Sequence, residues 1–589
     1  MVNRGRSGGC VTCKQRRVKC NEARPQCGPC RRLGLQCGGY KTKYASLKFK
    51  DETHKFGTKA NQRDATGHGL REEKTPRSAL ALHRPLAEPD TAVPFFLQLY
   101  VCAGRDLAAA RGFFEVLIPI YNTQPCSSPL SLAMAALAEE VQSIWRHDNR
   151  SVRSFESRAT YHTQAMQSLR STLQNRDEWG KPATMLAVIA LQLYENVAAI
   201  YGLRSATRTH QNGAVSLLPF AASDPSTDAN DTAVSAYIRG FVLHTEISAA
   251  MRQERPLVEN ASSWFARDNL VGAAPENPST ALDIIGASVA QLQARYIESS
   301  SVQMPAEWIA EAKHLDEQLV AWVQRVPSHL QPRKLISGRN LDALSIHTYQ
   351  SVCEIYSSCQ IGAIWNLWRI QRLLLARIIF TSLERIQDNL TDLAHRTTDN
   401  QEPSLEYDNP LLHHQIDTIQ SLVDSICHSV PFYLGNRTRP SSISDFADPT
   451  ILLPSCHPQV QVRTSSPTST NENDESDWTY HPPGDEQHKS HIIAQGPWHI
   501  MSPLSRLLTL FSTEPDQERG LALPVSIFRR GQYEWICEQF LRVTLLLHIR
   551  PGKNSHTPSR EGGGWSSKGN RVEDFALAVR KGAVFMSGP

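Results

Sequence analysis

The chain of 589 residues has no uninterrupted apolar run of the roughly 18 residues that a membrane-spanning helix requires. The nearest stretch, 186–203, is broken by Gln192, Glu195 and Asn196 and reads as a buried helix. No apolar segment follows the first residues, MVNRGRSGG, so a secretory leader and the disulfide chemistry of an oxidising compartment are not expected. Alternating apolar and polar residues are scarce, which argues against a sandwich or barrel, and no period of 20 to 50 residues repeats recognisably, which argues against a solenoid. Catalytic signatures are missing too. There is no His-Glu-x-x-His, no phosphate loop and no Gly-x-Ser-x-Gly, and Gly562 to Gly564 lack the strand and helix of a dinucleotide site. An enzyme is therefore not expected.

Cysteine is sparse over most of the chain and dense in one place. Six of the thirteen lie in CVTCKQRRVKCNEARPQCGPCRRLGLQC, residues 10–37, with Cys10, Cys13, Cys20, Cys27, Cys30 and Cys37 at two-six-six-two-six spacing. Thiolates are soft ligands suited to zinc, and a Cys-x-x-Cys pair can hold one tetrahedral ion. Six thiolates do not divide into sites of four. Two Zn2+ ions need eight ligand positions, so two cysteines must bridge. The first of each half is the natural bridge, giving Cys10, Cys13, Cys20 and Cys27 on one ion and Cys10, Cys27, Cys30 and Cys37 on the other. So small a segment has almost no apolar core, and metal must supply most of its folding free energy, on the order of 10 kcal/mol.

The residues between these ligands are basic. Lys14, Arg16, Arg17, Lys19, Arg24, Arg31 and Arg32 stand against Glu22 alone, and the segment remains cationic after two zincs and six thiolates are counted. Residues 1–50 hold thirteen Lys or Arg and one acid, a charge of +12 in a chain whose total is +4, which leaves −8 on the remainder. A basic head on a mildly acidic body suits one nucleic-acid module joined to a body with another task.

The cysteine spacing, the basic run at 14–19, Pro25 and the ending GLQCGGY resemble the fungal Zn2Cys6 binuclear-cluster transcription factors. That resemblance implies a module of two short helix-loop halves. It also implies that residues 14–19 form a short helix whose N-terminal end enters the major groove, with Arg16 and Arg17 at the positions that meet a CGG triplet. Arg and Lys suit the O6 and N7 acceptors of guanine. Arg31, Arg32 and Lys19 read as phosphate contacts, and Lys14 belongs to the same DNA-binding set.

The remaining organisation follows composition. Residues 1–9 are an N-terminal tail, 10–37 the DNA-binding domain and 38–92 a polar, flexible linker. Tyr40, Tyr44 and Leu47 make one coiled-coil step that is not sustained. Residues 93–550 are expected to be a large all-α regulatory domain. Phe155, Ala159, His162, Met166, Leu169 and Leu173 follow helical spacing, as do Leu130, Met134, Leu137, Val141 and Ile144. Further helices are expected near 183–201, 231–252, 282–297, 305–326, 342–388, 411–430 and 528–549. HQNGAVSLLPF at 210–220 and GPWHIMSPLSRLL near Trp498 resemble the family's helical body, and His210 reads as a structural partner or cap. Residues 438–492 read as a disordered insertion with an acidic-aromatic patch at Glu472, Asp474, Glu475, Asp477, Trp478 and Tyr480. The tail 551–589 has no assigned role. The seven other cysteines read as small hydrophobes.

These readings lead to a nuclear, sequence-specific DNA-binding regulator of RNA polymerase II genes in a fungus. Its partners would be double-stranded DNA and, through the helical body, a second copy or transcription co-regulators, with no membrane. The alternative is a zinc-stabilised protein-interaction module without sequence-specific DNA binding.

Overall fold

Leu130, Met134, Leu137, Val141 and Ile144 recur at helical spacing, and a helix forms there because Ser128 starts it, its Oγ accepting the Ser131 N–H at 3.1 Å. The same logic of apolar stripes and local caps builds most of the chain. The computed structural model describes residues 10–23, 26–38, 91–101, 113–146, 152–203, 205–221, 229–258, 278–298, 304–336, 346–397, 410–456, 485–512, 522–550 and 572–582. The expected tail 1–9, most of the linker, the acidic-aromatic patch and Cys102 lie outside these residues.

Two compact units divide the chain, Met1–Pro85 and Leu86–Pro589. The first holds helices α1, Val11–Gln15, and α2, Gly28–Arg32. The second is largely helical. In order it contains α3 (Ala92–Phe96), α4 (Phe113–Asn122), α5 (Pro129–Trp145), α6 (Val152–Thr172), α7 (Pro182–Tyr201), α8 (Thr209–Leu217) and α9 (Ala229–Gln253). There follow α10 (Pro278–Glu298), α11 (Pro305–Arg325), α12 (Cys359–Thr397), α13 (Pro410–Leu434), α14 (Asp485–Leu510), α15 (Gln532–Leu546) and α16 (Val572–Gly582).

Helix α14 packs against α12, α13, α15 and α16 and is the centre of the second unit's C-terminal half. Ile492, Ile493, Trp498, Ile500, Met501, Leu504 and Leu507 bury nearly all sides of it. Its crossing with α13 is close enough that a Cβ on Gly496 would lie 2.4 Å from the Tyr433 carbonyl oxygen, so only glycine fits. Helix α7 is long and apolar enough by composition to cross a membrane, yet most of it is buried inside the unit, as a core helix is.

Two small sheets modify the all-α expectation. Strand β1, Arg333–Ile336, pairs antiparallel with β2, Val352–Ile355, placing Arg333 opposite Ile355. Strands β3, Phe511–Ser512, and β4, Leu523–Pro524, pair in parallel. The helix expected at 342–388 therefore begins later, at Cys359. Gln350 and Ser351 adopt positive φ of 51° and 57°, turning the chain into β2, and Ser358 Oγ caps the true helix start at the Ile361 N–H, 3.2 Å away.

The insertion expected at 438–492 is narrower at both ends. Arg437 donates to the Ile493 carbonyl at 3.1 Å and to Ser441 Oγ at 2.5 Å. Asn436 pairs with Leu452 through both backbone and side chain, and α14 already runs from Asp485. Ser441 and Asp445, within the described part of the expected insertion, are partners of Arg437. The tail also holds structure. In α16, Ala576 and Val579 are fully buried and Phe575 meets Phe540 edge-on at 5.7 Å. Glu573 and Asp574 sit in its first turn and Arg580 and Lys581 in its last, matching the helix dipole.

His210 is buried with Nδ1 3.1 Å from Glu195 Oε2. Burial raises the Glu195 carboxyl, and hydrogen bonds from His210 and Thr207 outweigh it and hold the group below its ordinary value. His210 thus has a carboxylate partner within the helical body. Cys353, Cys359 and Cys427 are buried, whereas Cys126 is exposed.

Candidate metal centre and nucleic-acid interface

The two halves of the first unit are built alike, seventeen residues apart in sequence. Cys10 and Cys27 occupy the N-cap positions of α1 and α2, both extended at ψ 157° and 147°. Cys10 Sγ accepts the Cys13 N–H at 3.3 Å. Each helix closes with the same pair of bonds. In the first, Val18 N–H reaches the Cys13 carbonyl and Arg17 N–H the Lys14 carbonyl; in the second, Leu35 reaches Cys30 and Gly34 reaches Arg31. This is the Schellman closure, which requires a left-handed residue after the cap. Gly34 supplies it in the second half at φ 62°, and Arg17 in the first at φ 52°.

The closure corrects the expected helix at 14–19. The helix starts at Val11, because Cys10 caps it, and ends at Gln15, because the turn at Arg16 and Arg17 cannot continue it. Arg16 and Arg17 thus sit at the C-terminal end of α1. Lys14 is in its last turn, and Lys19 lies beyond the helix, next to Cys20. Arg31 and Arg32 are in the last turn of α2. All six are exposed, and among the described residues none is held in an ion pair.

Four of the six cysteines, Cys10, Cys13, Cys27 and Cys30, are at most 1% exposed and form a small cluster against which Cys20 and Cys37 pack. The Sγ atoms of Cys10, Cys13, Cys20 and Cys27 lie within 4.8 Å of one another, as do those of Cys10, Cys27, Cys30 and Cys37. Cys10 and Cys27 are common to both quartets. Cys10 and Cys27 Sγ are 3.5 Å apart, Cys13 and Cys27 3.6 Å, Cys10 and Cys30 3.8 Å. These separations exclude S–S bonds, and all six thiols are free. They agree with the edge of about 3.8 Å that follows from tetrahedral zinc with bonds of about 2.3 Å to sulfur. The donor set therefore fits two zinc ions.

The surroundings of the thiols favour the same ion. The N–H groups of Cys10 and Glu22 point at Cys20 Sγ from 3.5 and 3.4 Å and hold that thiol down to about 6. Burial pushes the Cys13 thiol up, followed by the neighbouring thiols. Crowded thiols cannot all ionise without a cation, which zinc supplies.

Two residues that the sequence reading passed over tie the halves together. Thr12 Oγ1 donates to the Gln36 carbonyl at 3.0 Å and accepts the Gly38 N–H at 2.9 Å. Asn21 Oδ1 accepts the Gly28 N–H at 2.8 Å. A threonine in a helix and an asparagine in a loop are common enough that nothing in the sequence marks them. Their role depends on which half faces which.

Residues 8–45 match the Fungal Zn(2)-Cys(6) binuclear cluster domain. Sterol uptake control protein 2 of Candida albicans is 67% identical over 30 residues, 5% of this chain and 4% of that protein. The aspercryptin biosynthesis cluster-specific transcription regulator atnN of Emericella nidulans is 57% identical over 37 residues, 6% of each chain. The chain thus spans a small fraction of the length of either relative. No solved structure matches the chain. Residues 8–45 are therefore a fungal Zn(2)-Cys(6) binuclear cluster domain, a module that binds two zinc ions.

Proposed function

We propose that this chain is a nuclear, sequence-specific DNA-binding regulator of RNA polymerase II genes, reading CGG-like half-sites through Arg16 and Arg17. The observation that carries the reading is the difference between two halves with the same backbone. Where the second half ends in Leu33 and Gly34, the first ends in Arg16 and Arg17, both exposed and unpaired among the described residues. If these two side chains reach guanine edges, the C-terminal end of α1 must face the major groove. The helix dipole presents partial negative charge there, so cations are needed to bring that end near phosphates. Lys19, Arg31 and Arg32 supply them, and Lys14 adds a further positive charge.

In this reading Cys10 and Cys27 bridge the two zincs, with Cys13 and Cys20 completing one site and Cys30 and Cys37 the other. Bound zinc would offset four of the six thiolate charges and cross-link a segment that has almost no apolar core. Cys10→Ser should release both zincs, whereas Cys37→Ser should leave one bound. Equal losses from the two variants, measured by metal analysis of the purified chain, would remove the bridging assignment. Residues 93–550 form the regulatory body of the same proposal, engaging a second copy or co-regulators, with 38–92 as linker.

The deciding experiment is selection of preferred DNA sequences by the full chain with zinc at near-physiological salt. Paired CGG-like triplets at one spacing are expected for a dimer and a single triplet for a monomer. No enrichment over non-specific binding would replace the proposal by a zinc-stabilised protein-interaction module.

A further inference from the structure

At the C-terminus of α9 the chain turns through Glu254, whose φ is 54°, and the Arg255 N–H closes on the Ala250 carbonyl at 3.2 Å. Guanidinium groups from three other helices converge on this end. Arg506 of α14 donates to the Met251 carbonyl at 3.3 Å, and Arg580 of α16 donates to the Arg252 carbonyl at 2.8 Å and to Thr509 Oγ1. Arg377 of α12 donates to Glu254 Oε1 at 3.1 Å, and Arg506 Nη1 lies 3.8 Å from the same oxygen. Arg252 of α9 itself is the fourth cation.

Capping the helix accounts for part of this cluster and leaves a remainder. Arg377, Arg506 and Arg580 act on the one Glu254 carboxylate, and Arg252 adds a fourth positive charge beside Arg506 and Arg580, a formal total of +3. Arg377 and Arg506 side chains are 4% and 5% exposed. Arg377 Nε and Nη2, Arg506 Nε and Arg252 Nη2 have no hydrogen-bond partner among the described residues. Buried N–H groups without acceptors and buried cations without counter-charge are both costly, and arginine does not escape by losing its proton as lysine can. Burial draws Arg252 and Arg580 down to about 9; the cations Arg255 and Arg506 add to it at Arg252, while at Arg580 Glu254 opposes it and Arg252 and Arg377 add to it. Glu254 stands at the edge, its side chain 36% exposed, so solvent reaches the cluster at that point.

We infer that this cluster binds a small multivalent oxyanion, a phosphate or the phosphate group of a metabolite, which displaces the Glu254 carboxylate and takes up the free N–H groups of Arg252, Arg377 and Arg506. Glu254 is the resident single charge in a place built for two or more, and its swing outward makes the room. Guanidiniums suit this ligand because their planar forks match two phosphate oxygens at once. The site joins α9, α12, α14 and α16, so its occupancy couples the C-terminal helix to the centre of the body. The inference stands whether or not the cluster domain reads DNA.

The test is equilibrium dialysis of the zinc-loaded full chain against radiolabelled inorganic phosphate at constant ionic strength, with a simple phosphomonoester as competitor. Saturable binding is expected. Arg377→Gln should weaken it at least tenfold, and Glu254→Ala, which removes only the competing carboxylate at the exposed edge, should tighten it at least tenfold. A phosphomonoester competing as well as phosphate indicates recognition of the phosphate group alone, and one competing better indicates a metabolite ligand. No saturable binding by the unaltered chain would overturn the inference, leaving the arginines as caps of α9. Binding that neither variant changes would overturn it as well, because the phosphate would then sit elsewhere.

Discussion

At the residue scale, Arg17 carries a conflict between backbone conformation and side-chain chemistry that bears on its proposed role. A left-handed conformation costs an L residue roughly 1–2 kcal/mol, and the equivalent place in the second half is occupied by glycine, which does not incur it. A side chain kept where glycine would be more stable is kept for what it touches. Arg17→Gly should therefore leave the zinc-loaded module at least as stable as it is, while costing about 1–3 kcal/mol of binding at the preferred DNA site and relaxing discrimination there. Arg17→Val should lose the same DNA binding and also destabilise the module by about 1–2 kcal/mol, since a branched Cβ tolerates this region least. Chelator titration of zinc-loaded protein and binding to matched and mismatched DNA separate the two effects. Equal losses for every DNA sequence would reduce Arg17 to a phosphate contact, and instability of Arg17→Gly would mean that the arginine also holds the turn.

At the scale of elements, what could be read in the sequence was what local chemistry dictates. The cysteine spacing determines which thiols can meet, so both quartets are legible in residues 10–37 from the spacing alone. Periodic stripes such as Leu130 to Ile144 mark helices that exist. The misses share a cause, in that each depends on a partner distant in sequence. Strand β2 lies within a stretch that reads as helix, and it forms because Glu354, 1% exposed, meets Arg369 at 2.5 Å and Tyr356 at 2.8 Å, with Ser425 accepting from Arg369 Nε at 2.9 Å. A buried pair holds only when every remaining donor and acceptor is met, and that requirement fixes the strand against α12 and α13. The ordered ends of 438–492 follow Arg437 and Asn436 in the same way. Helix α16 shows periodicity in VEDFALAVRKG, but the Gly- and Ser-rich residues before it conceal it. The helix at 14–19 was displaced by a thiol acting as an N-cap, a role that sequence rules assign to Ser, Thr, Asp and Asn.

At the scale of the whole molecule, charge is distributed so that binding should reside in a few residues. The first fifty residues hold +12 and the rest −8, so the total of +4 describes neither part. At physiological salt, charges more than about 8 Å from a phosphate are screened, so only those close to the DNA count. What sets the salt dependence is the number of phosphates neutralised. With Lys19, Arg31 and Arg32 as the phosphate contacts, the slope of log affinity against log salt should be roughly −3 for one module and about −5 to −6 if two copies bind one site. Anisotropy titrations of a selected DNA site between about 50 and 200 mM salt, the range over which such contacts are felt, distinguish these cases. Lys19→Ala should reduce the magnitude of the slope by about 1 per bound copy and weaken all sequences alike, whereas Arg17→Ala should change the ranking of sequences. A slope unmoved by Lys19→Ala would exclude Lys19 from the phosphate set. The slope of the unaltered chain then reports the number of modules on the DNA without reference to the spacing of half-sites, so stoichiometry and sequence preference become independent measurements of the same assembly.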